Sequence, residues 1–232
     1  MNEPLRNKVV QMNAEAEETV VCKGPRTLIR PLERSDCETI AGWEPYSDIE
    51  SKEYNIPAKD KAGWDEWYGS GTSGENALFA IEDTEQKLIG FIRLEDVDTN
   101  EGSARIHLQL NPEYRRRGLA TDGLRTFMEL YFGTWKRETL TASLPAYNQR
   151  GRRCLERSSF TVADHSWQPE PRGMAVLSMP ELAPYRRFFR VVENQTEVQI
   201  AQLETSRLTW VAKRETWKKQ AEQTKEAAPQ PV

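Results

Sequence analysis

Residues 103–132 read SARIHLQLNPEYRRRGLATDGLRTFMELYF, and the change of rhythm inside this stretch decides the fold. The first eight residues alternate. Ala104, Ile106, Leu108 and Leu110 point one way, while Ser103, Arg105, His107 and Gln109 point the other, as in a strand with one buried face. Pro112 cannot donate to a ladder and closes the strand. Over 118–133 the period lengthens: Ala120, Leu124, Phe127, Met128 and Tyr131 recur at three- and four-residue steps and make the apolar stripe of a helix. Between strand and helix, Arg115, Arg116 and Arg117 precede Gly118. The chain as a whole is slightly acidic, with net charge -4 and pI ≈ 5.5, so the arginine run needs a local explanation. The first N–H groups of a helix lack intrahelical partners, and its dipole adds positive charge there. Gly118 lets backbone approach a ligand, Ala120 leaves room at the next contact, and arginine adds charge that suits a phosphate pair.

Upstream, Thr27–Leu32 reads as a strand. Residues 33–43 read as a short helix with Ser35 or Asp36 at its N-cap, and a second helix follows around KAGWDEWYG (61–69). GSGTSGE (69–75) is a breaker. NALFAIED and KLIGFIRLEDV are strands joined by a polar turn, and with 103–110 they make three antiparallel strands in a row. Downstream come a strand (TLTASL, 139–144), a helix (NQRGRRCLERSS, 148–159) and a strand (160–167). Residues 168–185 look irregular. RRFFRVV and EVQIAQL flank ENQT as a hairpin whose role is either to add edge strands or to form a dimer contact, so a homodimer is one expected partnership. Grouped strands followed by alternation indicate an α/β (α+β) sheet flanked by helices.

Composition narrows the function classes. With 232 residues and 38% hydrophobic content there is enough for one substantial domain. Apolar runs such as 77–81 fall far short of the ~20 residues of a membrane helix, so no membrane partner is expected. The polar N-terminus shows no secretory pattern, which points to the cytoplasm. Cys22, Cys37 and Cys154, with His107 and His165, match no zinc spacing and imply no metal. Lysines and arginines of the tail are interleaved with glutamates, a solvated helix rather than a nucleic-acid arm.

Arg115-Arg116-Arg117-Gly118-Leu119-Ala120 fits R/Q-x-x-G-x-G/A and resembles the acetyl-CoA pyrophosphate loop of the GNAT N-acetyltransferase superfamily. PEYRRRGLATDGLRTFMELYF looks like that family's strand-loop-helix, and Asn148-Gln149-Arg150-Gly151 through Phe160 is similar to its N-x-x-S…L-E-K-x-G-F ending. TLIRPLERSD and Ile89-Gly90 also resemble the ribosomal-protein alanine acetyltransferase branch. The resemblance spans about residues 26–167 and implies the GNAT fold, with a mostly antiparallel central sheet. Together with the polar start and the charged end of the sequence, this divides the chain into a flexible arm (1–18), the acetyltransferase domain (19–167), an extension with further strands packed on that domain (168–210), and a charged helix and disordered tail (211–232). It also implies acetyl-CoA as co-substrate and an amine acceptor, a protein N-terminus or a small-molecule amine. Leu108, Gln109 and Leu110 would hold the pantetheine arm through their backbone. Amides from Arg116 through Thr121, including Leu119 and Ala120, would cradle the pyrophosphate, with Arg115 and Arg117 adding charge. Asn148 would contact the cofactor near the pantetheine.

Two departures bear on catalysis. Many family members carry, seven residues after the asparagine, a tyrosine that protonates the departing thiolate, and here that position is Leu155. The acidic residue common on the fourth strand aligns with Arg105. Candidate bases are then His107, Glu95 and Glu113. His107 lies one residue before the pantetheine segment and titrates near neutrality, but a half-buried strand histidine satisfied by a neighbour reads the same way. The resemblance puts the acceptor at the loop EPYSDIESKEYNIP (44–57) and the helix bearing Trp64, Trp67 and Tyr68, where Glu44, Asp48, Glu50 and Glu53 suit a cationic amine. The two tryptophans also have the spacing of core residues. A GNAT-fold module that binds acetyl-CoA with little transfer is the alternative function.

Overall fold

A computed structural model describes residues 22–226. The expected arm 1–18 and the last six residues of the tail lie outside them. The elements are β1 (Cys22–Lys23), β2 (Thr27–Pro31), α1 (Asp36–Ala41), α2 (Lys61–Gly71), β3 (Ala77–Asp83), β4 (Leu88–Asp98), β5 (Ser103–Leu110), α3 (Leu119–Met128), β6 (Thr139–Pro145), α4 (Gln149–Arg157), β7 (Thr161–Pro169), β8 (Phe189–Val192), β9 (Gln195–Ser206) and α5 (Arg207–Glu226). The strands form one sheet in the order β1-β2-β3-β4-β5-β6-β9-β7, with β8 also paired to β9. The fold is mixed α/β with a mostly antiparallel open sheet.

The central strands are buried on both faces because helices cover both. Phe79, Ile81, Ile92, Leu94 and Ile106 pack with Leu124, Phe127 and Met128 of α3 on one side. Leu78, Ala80 and Phe91 pack with Cys37, Ile40 and Trp64 of α1 and α2 on the other. The expected long helix stops at Met128. Glu129–Thr134 widens into a π-helical turn that buries Leu130, Tyr131 and Phe132 in succession, which the 3.6-residue stripe of an α-helix cannot do.

One break in the sheet positions the site. β5 and β6 are parallel neighbours, yet they pair only from Ser103 to Arg105 and from Thr139 to Thr141. Beyond Arg105 the two strands part. β5 continues beside β4 to Leu110, and β6 continues beside β9 to Pro145. At Gly90, opposite Leu110, an added Cβ would come within 2.6 Å of the Gln109 carbonyl. Glycine there lets β5 stay close to β4 along the opening.

The downstream hairpin is β8 and β9, turning at Glu193 (φ 49°) and Asn194 (φ 64°), the two positive dihedrals of a two-residue turn. β9 is not an edge strand. It runs between β6 and β7 because Ala201 and Leu203 are buried in the main core, while β7 is largely exposed. Between β7 and β8 the irregular segment forms two 3-10 turns, Gly173–Ser178 and Pro180–Phe188. Val176 and Leu182 from these turns pack with Tyr147, Phe189, Val198 and Ile200, and Ile49 of the 44–57 loop packs against this third cluster.

Candidate active site

The turn from β5 into α3 is built by local chemistry. The Asn111 side chain accepts from the Glu113 amide (3.1 Å), setting up a single 3-10 turn, Pro112–Tyr114. Arg116 (φ 64°) and Gly118 (φ 76°) are then both left-handed, which reverses the chain into α3. A Cβ at Gly118 would meet only Arg26 Nη1, at an ordinary 3.5 Å, so its positive φ, not crowding, is what calls for glycine. The first amide of α3 with an intrahelical bond is Asp122, which donates to the Gly118 carbonyl (3.1 Å). Those of Leu119, Ala120 and Thr121 precede it and have no helical partner. From behind, Arg26 Nη1 donates to the Arg117 carbonyl (2.8 Å) and Thr27 Oγ1 to Asp122 (2.8 Å).

These amides open onto a cleft of about 450 Å³ whose walls include Leu108, Gln109 and Leu110, the end of β5 beyond its last pairing with β6. Ten of the expected cofactor residues line it together: Leu108, Gln109, Leu110, Arg115, Arg116, Gly118, Leu119, Ala120, Thr121 and Asn148. Arg117 does not. Its guanidinium lies over the Tyr114 ring, 5.4 Å from the centroid.

The charges are distributed differently from the expectation. Arg115 gives Nη1 to Asp48 and Nη2 to Ser51 (3.0 Å), and it stacks over Tyr46 at 4.7 Å. It therefore ties the β5–α3 turn to the 44–57 loop. Arg150 joins it on Asp48 (3.3 Å). Arg116, expected to act through its backbone, lines the cleft, as do Arg153 and Arg157 of α4, and among the described residues none of the three side chains has an ion-pair partner. The last two were missed in the sequence. Their four-residue spacing after the cap Asn148 puts them on one helix face, and that was the available signal.

Asn148 caps α4, its Oδ1 accepting from the Gly151 amide (2.8 Å). Its Nδ2 donates to Tyr54 Oη (3.2 Å), a cleft residue that sequence reading did not single out. Tyr54 sits on the 3-10 turn Lys52–Tyr54. Glu53 on the same turn accepts from the Tyr147 hydroxyl (3.1 Å). Glu53 is exposed as a residue, yet burial of its carboxyl between the phenols raises its pKa.

A smaller cavity of about 160 Å³ adjoins the cleft. Trp43, Glu44, Tyr46, Ile56, Trp64 and Gln109 are among its walls, and Tyr46 and Gln109 line both spaces. The Tyr46 hydroxyl donates to the Leu110 carbonyl, and burial pushes its pKa up to about 12. Trp64 is both core and wall. It is buried and meets Trp67 edge-on at 5.4 Å, while Trp67 packs on Phe91 at 5.5 Å. Of the four acidic residues expected to face an amine, only Glu44 lines this cavity. Asp48 holds the arginines, Glu50 accepts from the Tyr185 hydroxyl (2.6 Å), and Glu53 holds Tyr147.

The candidate bases stand apart from both cavities. His107 Nε2 is 3.0 Å from Glu95 Oε2, but out of line for a hydrogen bond. Glu95 also contacts Arg93 (2.7 Å) and Arg105 (3.2 Å). Burial lowers the imidazole pKa, outweighing the Glu95 charge that raises it. Neither residue, nor Glu113, lines the cleft or the adjoining cavity. Among the described residues no group of histidine, cysteine and carboxylates could hold a metal ion, and no helix is long and apolar enough to cross a membrane.

Residues 26–161 match the family model described as Acetyltransferase (GNAT) domain. The chain belongs to the GNAT acetyltransferases. No curated protein matches it, but solved structures do. Spermidine N-acetyltransferase from Vibrio cholerae, in complex with CoA and spermine, superimposes with a TM-score of 0.59 at 18% identity, over 80% of this chain and 98% of that one. A GNAT-family acetyltransferase from Bacillus anthracis gives 0.55 at 15% identity, over 80% and 98%. At such identities the likeness is one of fold.

GNAT acetyltransferases use acetyl-CoA, and the cleft suits it on its own chemistry. The first amides of α3, which lack helical partners, and three guanidinium groups with no ion-pair partner among the described residues suit a pyrophosphate. The open edge of β5 offers main-chain groups to the amide-bearing pantetheine arm.

Proposed function

We propose that this GNAT enzyme acetylates a primary amine that carries a single positive charge and enters through the cavity walled by Trp43, Glu44 and Trp64. The observation that carries the reading is that Tyr46 and Gln109 line both that cavity and the cleft. An acceptor in the one space and an acyl donor in the other come nearest at these two residues. Acetyl-CoA supplies an acyl thioester. The protein's part is to bind and orient the amine, and to leave main-chain groups of β5 available to the acyl oxygen.

Glu44 and the aromatic walls suit one ammonium group, and Lys59 in the same lining opposes a second. A polyamine would need further free carboxylates, and Asp48, Glu50 and Glu53 are committed within the protein. The preferred acceptor is therefore the amino end of a protein chain or a small monoamine. The resemblance to the ribosomal-protein alanine branch supports the former.

A thiol-release assay with an alanine-led peptide, a small monoamine and spermidine tests this, with calorimetry of acetyl-CoA on wild type and Gly118→Glu. Expected are binding to wild type alone and fastest release with peptide or monoamine. Equal binding by the variant overturns the cofactor site, and preference for spermidine overturns the acceptor class.

A further inference from the structure

Another hollow, of about 950 Å³, lies between α3 and α5 and shares no residue with the cleft or its adjoining cavity. Part of it is apolar. Phe132 of the π-helical turn meets Trp210 of α5 at 5.9 Å, and the Arg125 guanidinium stacks over Trp217 at 4.4 Å. Trp210 is 3% exposed, yet its indole N–H has no hydrogen-bond partner among the described residues, and a buried donor normally has an acceptor. The rest is basic. Five lysines and arginines line the hollow against two carboxylates. Arg214 holds Glu129 (2.7 Å), Arg207 holds Glu138 (2.9 Å), and Thr27 holds Asp122 (2.8 Å). Lys23, Arg125 and Lys136 are left with no ion-pair partner among the described residues.

We propose that residues 13–21 of this chain, NAEAEETVV, occupy this hollow. The path of the chain leads there. Cys22 and Lys23, which follow the stretch, line the hollow, and Cys22 Sγ donates to the Thr126 carbonyl of α3 (3.4 Å). β1 is antiparallel to β2. β2 runs from Thr27, beside Asp122, to Pro31, whose partner Phe79 packs on Phe127 and Trp135. Traced back from Lys23 to Cys22, the chain therefore heads from the start of α3 toward its end, where Phe132 and Lys136 lie.

Length and charge agree with that path. Nine residues span about 13 Å as a helix or about 30 Å extended, and α5 from Arg207 to Trp217 is about 15 Å long. Glu15, Glu17 and Glu18 have no lysine or arginine within the stretch and complement Lys23, Arg125 and Lys136. Main-chain carbonyls of the stretch supply an acceptor for the Trp210 N–H. Its valines and alanines bring apolar surface to Trp217 and to Val211, which is 54% exposed. Neither other end of the chain complements a basic surface: residues 1–12 carry Arg6 and Lys8 against Glu3, and 227–232 have no acidic side chain. The docked stretch braces α3 through the short link to Arg26, whose guanidinium holds the Arg117 carbonyl (2.8 Å).

A carbodiimide joins a carboxylate to an amine that it touches, with loss of water. The full chain, as an equal mixture of 14N- and 15N-labelled protein, is treated, digested and read by mass spectrometry. Expected is an amide bond within one chain from Glu15, Glu17 or Glu18 to Lys136, weakened at about 1 M salt, where charges are screened beyond about 3 Å. Hydrogen exchange should show the amides of 13–21 slowed about tenfold or more relative to coil. The triple variant E15K/E17K/E18K should lose that protection while β3, β4 and β5 keep theirs. Coil-rate exchange of 13–21 in wild type, protection that survives the charge reversal, or protection without the bond to Lys136 overturns the proposal. Bonds between 14N and 15N chains in place of those within one chain assign the hollow to a second copy and overturn it too.

Discussion

The wall of the cleft proposed to hold the cofactor is cut largely from one continuous stretch, residues 108–121, with α4 closing it. The wall that carries Tyr46 and Tyr54 is a loop with little regular structure, held by side chains far away in the chain. Arg115 reaches Asp48 across 67 positions, Tyr147 reaches Glu53 across 94, and Tyr185 reaches Glu50 across 135. The first wall works through main-chain amides, whose direction is set once strand, turn and helix form. The second works through paired charges and phenols, each depending on a partner that only the completed fold supplies. Damage to the first should therefore appear in acetyl-CoA affinity, and damage to the second in the amine.

The largest separation is expected from the double substitution Arg153→Glu and Arg157→Glu. Losing two charge-assisted contacts of roughly 1.5–3 kcal/mol each lowers acetyl-CoA affinity by about 100-fold or more. Arg117→Glu, on the residue stacked over Tyr114, leaves it within about threefold, or about 0.65 kcal/mol. Calorimetry on both variants decides whether cleft lining or position in the RRRGLA motif governs the charge.

An intermediate effect is expected from Asp48→Asn. It weakens the anchor for Arg115 and Arg150, worth roughly 1.5–3 kcal/mol, and the amine KM should rise about tenfold while acetyl-CoA affinity stays put. A matching fall in acetyl-CoA affinity would show that the two walls are not separable.

The smallest effect belongs to His107→Gln, which should leave kcat/KM within about twofold, or about 0.4 kcal/mol, because His107 lines neither cavity. A pH-dependent trace should remain in stability. The folded imidazole pKa is depressed, so the contribution of His107 is present above the unfolded pKa and lost as pH falls through and below it. Between pH 7 and pH 5 the variant should therefore lose less in Tm than wild type. A fall in turnover with unchanged acetyl-CoA affinity would return His107 to the reaction.

The cofactor wall was legible because its determinants are local. Alternation to Leu110, the stop at Pro112, the glycine at 118 and the stripe after it are each read within a few residues, and the chain follows them. The roles within RRRGLA were not legible. Spacing marks three arginines but not which of them meets a carboxylate from elsewhere, and Asp48 claims Arg115. Tyr54 was invisible for the same reason, since nothing near it in sequence announces Asn148. The hairpin of β8 and β9 was readable, but its place was not, because strand order depends on which strand buries both faces.

From the sequence alone followed the alternation of strands and helices, the GNAT resemblance and the glycine turn that opens α3. All are periodicities or backbone preferences that act over one or two turns of chain. The tertiary structure decided which charges meet a carboxylate, where β5 and β6 part, and which tyrosine meets Asn148. Those depend on ion pairs and hydrogen bonds between segments that meet only when the sheet closes around its core.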